Sequence, residues 1–210
     1  MPREAKTPVT GGFRVALTFD AEHPDRPHSA RRGAERILDT LDARSVPATF
    51  FVQGRWALSE PTIARRISEN GHLVGNHSMF HARMPLLTDD GLETDVREAE
   101  DVIREITGAD PRPWFRCPFG AGNDDPRVRG ALERLGYRNV PWDVEPFDWE
   151  PAVTAEELVG STIAEADDGA IVLLHTWPET TGAALPELIS RLEDAGATFV
   201  TVDLLIGAGA

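Results

Sequence analysis

The sequence has few of the features that mark membrane-bound, exported or disulfide-stabilised proteins. It contains one cysteine, Cys117, so no disulfide can form within the chain. It has no run of about 18 apolar residues, the length that a transmembrane helix needs. Residues 1–7 are polar and lack the apolar core of a signal peptide. These absences predict a soluble, cytoplasmic protein that has no membrane partner.

Basic residues are also scarce. The chain carries 21 Lys and Arg side chains against 35 Asp and Glu side chains, which gives a formal net charge of −14. Proteins bind nucleic acids and anionic membranes through basic patches, so this balance argues against nucleic acid as a partner. Apolar residues make up 41% of the 210 positions, which suits a single globular domain with a substantial core.

Apolar runs of strand length alternate with segments of helical periodicity about seven times. The predicted strands cover residues 13–19, 47–52, 72–74, 114–116, 137–142, 170–174 and 198–202. The predicted helices cover residues 28–45, 61–69, 125–135 and 184–195, and two more follow the capping residues Thr88 and Thr154. This alternation predicts an α/β fold with a parallel sheet that closes into a barrel. Residues 1–12 are predicted to be a disordered or loosely packed lead-in to one domain.

His77 and His81 follow the third predicted strand and lie four residues apart. Two imidazoles at this spacing share one helical face or one wall of a loop, and a divalent metal needs such a pair held neutral and aimed together. One capping and one packing histidine would give the same pattern. Polar residues at the ends of other strand-like runs favour the metal, since barrels carry their sites there. These residues are Asp20, Glu22, Arg116, Asp148 and His175.

Together these side chains contain the parts of a metal-assisted hydrolase that acts on an acyl group. Two histidines and a carboxylate make a three-ligand metal site with open positions for water and substrate. A second carboxylate can accept a proton from that water, and His175 can donate one to the leaving group. Asp148 can orient and charge His175, and Arg116 can pair with the base.

Each of these residues also has a structural interpretation. An aspartate after a strand commonly caps a turn, which is the alternative for Asp20. Arg116 is alternatively part of a surface ion pair, and His175 a core histidine. For Asp148 and Trp149 the alternative is a turn followed by a core aromatic residue. The other histidines, His23, His28 and His72, are interpreted as surface or structural residues, and Cys117 as a small buried residue beside the site that is not a nucleophile.

Several short motifs occur in a fixed order along the chain. They are Thr18-Phe19-Asp20, Ala48 to Gly54, His77 to His81, Arg116 to Gly120, Asp148-Trp149 and Leu173 to His175. In this order and spacing they resemble the polysaccharide deacetylase (NodB-homology) family, carbohydrate esterase family four. The resemblance extends from about Val15 to Leu205. Each motif is weak alone, but their combination is highly specific.

The resemblance implies a distorted (β/α)7 barrel of the TIM type, with one NodB-homology catalytic domain over residues 13–210. It implies a divalent metal, zinc first, with cobalt, nickel or manganese as alternatives, and the removal of an N-acetyl or O-acetyl group from a sugar. For the metal site and the base, the resemblance implies that His77 and His81 are metal ligands, that Asp20 is the general base and that Arg116 tethers Asp20. It implies that His175 is the general acid and that Asp148 tunes His175. It also implies that Phe119 donates its backbone N–H to the oxyanion and that Trp149 and Leu173 form the walls of the acetyl pocket.

The first motif departs from the family pattern, which has two adjacent aspartates, the second a metal ligand. That position is Ala21 here, and its methyl group cannot coordinate a metal. Positions 20 and 22 of a strand point the same way, so Asp20 and Glu22 are expected to share one site. We therefore expect Glu22 to be the third ligand and Asp20 the base, with exchanged roles as the alternative.

Three functions are compatible with these residues. The leading hypothesis is a metal-dependent hydrolase that removes an acyl group, an N-acetyl group first, from a carbohydrate. The second is a hydrolase of non-sugar C–N bonds, in an amide or formamide, on the same scaffold. The lack of a recognisable signal peptide is consistent with a small or intracellular substrate, or with another export route. The third is a catalytically silent carbohydrate-binding protein, because Ala21 replaces the second aspartate.

Overall fold

A computed structural model describes residues 12–23, 25 and 32–207. The predicted lead-in over residues 1–12 therefore lies outside the described residues except for Gly12. The same is true of His28 and the first residues of the helix predicted over 28–45. Among the described residues, no helix is both long and apolar enough to cross a membrane.

Strands and helices alternate along the chain. The strands are β1 (Phe13–Ala21), β2 (Thr49–Val52), β3 (Leu73–Asn76), β4 (Trp114–Phe115), β5 (Arg138–Asn139), β6 (Ala170–His175) and β7 (Ala197–Phe199). The helices are α1 (Gly33–Arg44), α2 (Gly54–Ser59), α3 (Pro61–Glu69), α4 (Asp89–Thr107), α5 (Pro126–Arg134), α6 (Ala155–Glu165), α7 (Glu179–Asp194) and α8 (Val202–Ile206). Short 3₁₀ helices cover Met84–Leu86 and Pro118–Gly120.

The strands form one parallel sheet in the order β5-β4-β3-β2-β1-β6, and β7 pairs with the start of β1. After β5 the chain continues to β6, where Val144 forms a parallel bridge with Val172. Because this segment links the two edges of the sheet, the sheet curls into a barrel with the helices around it. The predicted distorted (β/α)7 barrel is confirmed.

The central strand β1 is buried on both faces, as expected for a parallel sheet covered by helices. Val15, Leu17 and Phe19 pack against the helices in the largest hydrophobic cluster. Ala16 belongs to a different cluster, inside the barrel. Since side chains alternate along a strand, Asp20 lies on the same interior face as Ala16, at the carboxyl end of β1.

Two predicted helix starts are confirmed by their capping contacts. Thr88 accepts a hydrogen bond from the Gly91 N–H (3.1 Å) at the start of α4. Thr154 and Glu157 form a reciprocal capping box at the start of α6. Gly108 ends α4 with a φ of 70°, a conformation that glycine adopts without strain.

Two predicted strands were too long. The strand predicted over residues 137–142 is reduced to β5, because Pro141 has no N–H to donate to a neighbouring strand. The strand predicted over residues 198–202 is reduced to β7, and helix α8 starts directly after Thr201. The β-branched residues of this segment favour a strand locally, but tertiary packing buries Val202 in the barrel interior instead.

Two helices also differ from the prediction. Helix α7 begins at Glu179, earlier than the predicted residue 184, although Thr180, Thr181 and Gly182 are weak helix formers. Its apolar face packs against α1 and α6, and this burial outweighs the local preference. Helix α2 was not predicted because it is only six residues long.

Candidate active site

The carboxyl ends of four parallel strands bring the predicted site residues together. β1 ends beside Asp20 and Glu22, and β3 ends directly before His77. β4 ends directly before Arg116, and β6 ends at His175. Parallel strands of similar register end at the same rim of the barrel, so residues far apart in sequence share one site.

Arg116 is fully buried and holds Asp20 at the base of the site. Its Nη1 donates to Asp20 Oδ1 (2.9 Å) and to the Thr18 hydroxyl (2.8 Å), and its Nε donates to the Val140 carbonyl (3.1 Å). Its guanidinium also stacks on the Phe51 ring, 4.1 Å from the centroid. Burial lowers the pKa of Arg116, although the charge of Asp20 opposes this shift. The surface interpretation of Arg116 is therefore wrong.

Glu22 is the centre of a cluster of imidazoles. Its Oε2 contacts His81 Nε2 directly and lies 3.3 Å from His77 Nε2. Its Oε1 lies 3.1 Å from His23 Nε2. Burial would raise the pKa of Glu22, but hydrogen bonds from the three histidines and the charge of His175 hold the pKa well below its ordinary value. Glu22 is therefore an ionised carboxylate that faces several ring nitrogens.

This cluster fits a divalent cation. Glu22, His23 and His81 offer ligand atoms that all lie within 4.8 Å of one another. His77 faces the same carboxylate, and its Nδ1–H donates to the Arg116 carbonyl at 2.9 Å. This bond fixes the tautomer and leaves Nε2 available for coordination. A buried set of imidazoles and a carboxylate is the donor set of zinc and similar ions.

Asp20 lies beside the same cluster. Its Oδ2 is 3.4 Å from His77 Nε2, whereas its Oδ1 is bonded to Arg116. Asp20 and Glu22 therefore share one site, as the strand alternation predicts, and Ala21 between them is buried on the other side of β1 with the helices.

His23 was not predicted to belong to the site. It was interpreted as a surface or structural residue, but its ring lies 4.5 Å from that of His81 and lines the same cavity. The one sequence signal was its position directly after Glu22. Its backbone has a φ of 56°, and its N–H donates to Gln53 Oε1 at 3.1 Å. A turn that strand periodicity does not predict thus directs this imidazole toward the site.

The loop that carries His77 and His81 is held by buried side chains that sequence reasoning missed. Asp95 of α4 accepts hydrogen bonds from the N–H groups of Met79 (3.1 Å) and Phe80 (3.2 Å). Ser78 Oγ accepts from the His81 N–H at 3.0 Å. Asp95 is 5% exposed, so solvent does not compete for these contacts. The position of His81 therefore depends on a carboxylate that has no contact with the cluster itself.

His175 and Asp148 form a second buried pair on the other side of the cluster. The His175 Nδ1–H donates to Asp148 Oδ1, and the His175 backbone N–H donates to Oδ2, both at 2.7 Å. The Thr181 hydroxyl also donates to Oδ2, at 2.5 Å. Burial opposes protonation of His175, but the charge of Asp148 raises the pKa of this imidazole to about 9. At neutral pH His175 therefore carries a proton that it can donate.

A cavity of ≈ 310 Å³ opens over these groups. The three residues predicted to contact substrate, Phe119, Trp149 and Leu173, all line it. Phe119 has a φ of 59° and is 52% exposed at the rim, whereas Leu173 is buried in the wall. Besides His23, three further residues that were not predicted line the cavity: Trp142, Glu145 and Trp177.

Fold and site together define an α/β barrel with a cluster of imidazoles and carboxylates at the carboxyl ends of its strands. The family model described as polysaccharide deacetylase matches residues 8–140. The chain belongs to this family. The matched segment includes the motifs of Asp20, His77 and Arg116, while Asp148 and His175 lie beyond it.

Two curated relatives are similar over most of the chain. A peptidoglycan-N-acetylglucosamine deacetylase of Listeria monocytogenes is 34% identical over 92% of this chain. The matched region covers only 39% of the length of that deacetylase. A chitooligosaccharide deacetylase of Sinorhizobium fredii is 34% identical over 89% of this chain and 89% of its own length.

Solved structures of the same family share the fold. A deacetylase determined with its substrate is 34% identical and superposes with a TM-score of 0.82, covering 95% of this chain and 93% of that one. A CE4 family pseudoenzyme from Bacillus anthracis is 26% identical, with a TM-score of 0.83 over 95% of this chain and 66% of that one. The same scaffold therefore occurs in active and inactive forms.

Proposed function

We propose that this protein is a metal-dependent deacetylase that removes the N-acetyl group of an acetylated sugar in a glycan. One observation carries the proposal: Asp20 and His175 line the same cavity, and each is held by a buried partner of opposite charge. A proton acceptor and a proton donor on either side of a metal cluster are what amide hydrolysis needs. Membership of the deacetylase family supports the same chemistry.

The proposed ligands are Glu22, His77 and His81, with His23 as a further nitrogen donor within reach of Glu22. Zinc is the first candidate, and cobalt, nickel or manganese suit the same donors. A cation bound there would polarise the acetyl carbonyl and lower the pKa of a coordinated water. The replacement of the usual aspartate by Ala21 is compensated by the longer side chain of Glu22.

Asp20 is the proposed general base. Arg116 occupies Oδ1 of Asp20, so Oδ2 remains directed at the cluster, where it can accept a proton from the attacking water. His175 is the proposed general acid. Its Nδ1 is bonded to Asp148, so Nε2 faces the cavity and donates its proton to the amine nitrogen as the C–N bond breaks. Acetate and the free amino sugar are the products.

The cavity wall provides the remaining contacts. The backbone N–H of Phe119 is the proposed donor to the developing oxyanion. Leu173 and Trp149 bound the space for the acetyl methyl group. Two exposed aromatic rings, Phe119 at the rim and Phe147 beside Trp149, suit the apolar faces of sugar rings and favour a glycan over a small amide.

A catalytically silent carbohydrate-binding protein is the second candidate, and the similarity to a pseudoenzyme favours it. The two candidates differ in whether the site can take a proton from the attacking water and donate one to the leaving amine. In this chain Asp20, His77, His81 and His175 all face the cluster, which argues for the active form.

The test is acetate release by zinc-loaded protein from a chitooligosaccharide, with a small N-acetyl amide as the second substrate. We expect turnover of the glycan, and a loss of at least about 100-fold in kcat for Asp20→Asn and for His175→Ala. Glu187→Gln, which removes a carboxylate from the exposed side of α7, serves as the control. Tight glycan binding by the metal-loaded wild type without any acetate release would support the silent protein instead.

A further inference from the structure

Glu145 is an acidic residue of the cavity wall that the proposed reaction does not use. Its carboxylate is held between two indoles: Trp142 Nε1 donates to Oε2 at 3.2 Å, and Trp149 Nε1 donates to Oε1 at 3.4 Å. Both donors are uncharged. The wall therefore fixes the position of a carboxylate without neutralising it.

The other acids of the cavity differ from Glu145 in this respect. Asp20 is paired with the Arg116 guanidinium, and Glu22 is surrounded by imidazoles and belongs to the proposed metal cluster. The described residues that line the cavity include no lysine or arginine. Arg83 stacks on Phe119 at 4.4 Å, but it is exposed and its charge is screened by solvent. Glu145 thus places a negative charge beside the substrate space, and no lysine or arginine of the cavity lining pairs with it.

This wall has the chemistry of a binding site for sugars without acid groups. Aromatic faces pack against the apolar faces of sugar rings, and a fixed carboxylate accepts hydrogen bonds from hydroxyl or ammonium groups. Trp149 is 38% exposed, and Phe147, 49% exposed, extends the aromatic surface with its ring 6.1 Å away. A carboxylate on the substrate would be repelled here, and the net charge of −14 adds to that repulsion at longer range.

We infer that Glu145 is a specificity-determining residue, which selects glycans of N-acetylglucosamine or glucosamine type and rejects sugars that carry a carboxylate, such as N-acetylmuramic acid. This inference rests on the proposed deacetylase function, because it concerns the substrate of that same site. Glu145 discriminates through charge in the cavity and takes no part in proton transfer.

The experiment compares two oligosaccharides of equal length: one of N-acetylglucosamine only, and one in which N-acetylglucosamine alternates with N-acetylmuramic acid. Acetate release by zinc-loaded protein gives kcat/KM for each. We expect the wild type to prefer the neutral oligosaccharide. Glu145→Gln should narrow this preference about tenfold, mainly by lowering KM for the acidic oligosaccharide. Glu145→Asp, which keeps the charge, should retain the preference.

Glu150→Gln is the matched control, since it removes an exposed carboxylate from the same loop outside the cavity. A preference unchanged in Glu145→Gln, while both oligosaccharides are hydrolysed, overturns the inference and leaves the proposed function intact. If the wild type hydrolyses neither, the proposed function fails and the inference with it. Salt dependence tests the wild type itself: raised ionic strength should weaken its preference, and a salt-independent preference would contradict a role for charge.

Discussion

Asp20 and His175 are register partners on the neighbouring parallel strands β1 and β6. The Thr176 N–H donates to the Asp20 carbonyl at 3.1 Å and fixes this register next to the site. The proposed base and the proposed acid are thus positioned by two hydrogen-bonded strands, although 154 residues separate them in the sequence. A slip by one residue in either strand would turn one side chain to the opposite face of the sheet.

The Asp148–His175 pair predicts the alkaline limb of the pH–rate profile. The proposed acid acts when protonated, and Asp148 raises its pKa to about 9, so activity should fall as the pH rises through this region. Asp148→Asn removes the negative charge that raises the pKa, so the limb should move to lower pH. Steady-state kcat/KM measured across the pH range checks this. Thr181→Val removes one hydrogen bond but keeps the charge, and it should move the limb less.

Metal content distinguishes the ligands from the base. Protein purified without added metal should hold about one equivalent of zinc or a similar ion, and both Glu22→Ala and His77→Ala should lose it. Asp20→Asn should retain the metal, because Asp20 is bonded to Arg116 and acts as base. Elemental analysis of the variants checks this. Retention of metal in Glu22→Ala together with loss in Asp20→Asn would exchange the two roles.

His23 should contribute to metal affinity. Its Nε2 is 3.1 Å from Glu22 Oε1, and its donor atom lies in the same convergent group as those of Glu22 and His81. His23→Ala is expected to weaken binding by about 10-fold or more without unfolding the protein. Titration with Co²⁺, followed by its visible absorption, measures both the affinity and the coordination. An unchanged spectrum and affinity would assign His23 to the cavity wall alone.

Asp95 should act as a positioning residue. Its carboxylate holds the N–H groups of Met79 and Phe80, so Asp95→Ala leaves two donors of the loop without this acceptor. We expect a loss of about 1–3 kcal/mol in unfolding free energy and a 10- to 100-fold loss of metal affinity. Denaturant titration and metal titration check the two effects. Asp90→Asn, on the exposed first turn of α4, is the control, and equal effects in both variants would contradict the assignment.

His72 should make the apo-protein sensitive to acid. It is 7% exposed, and neither ring nitrogen has a hydrogen-bond partner among the described residues. Burial lowers its pKa from 6.5 in spite of Asp42, so the unfolded state binds the proton more readily. The stability contribution of neutral His72 is therefore present above this pH and lost as the pH falls below it.

His72→Leu removes the titrating group. The variant should therefore lose less unfolding free energy than wild type between neutral and mildly acidic pH. Urea unfolding of the metal-free proteins on both sides of pH 6.5 measures this difference. Parallel pH dependences in the two proteins would show that His72 takes up no proton on unfolding.

The barrel and the main site residues could be predicted from the sequence. The alternation of apolar runs with helical periodicity defines a parallel sheet, and the polar residues at the ends of those runs, such as Asp20 and His175, are local features. The alternation of side chains along a single strand also predicted that Asp20 and Glu22 face one site. These predictions need only the local periodicity of apolar residues along the chain and the rule that parallel barrels carry their sites at the carboxyl ends of the strands.

The contacts that do not follow from periodicity depend on how distant segments pack in the folded chain. His23 reaches the cluster through a turn with a positive φ, and Asp95 reaches the histidine loop from the middle of a helix. Glu145 is held in the cavity wall by hydrogen bonds from two indoles, those of Trp142 and Trp149, which precede and follow it in the chain. Helix α8 forms where β-branched residues favour a strand. In each case long-range packing and hydrogen bonding determine the structure more strongly than local secondary-structure propensity does. Periodicity along the chain does not predict such contacts.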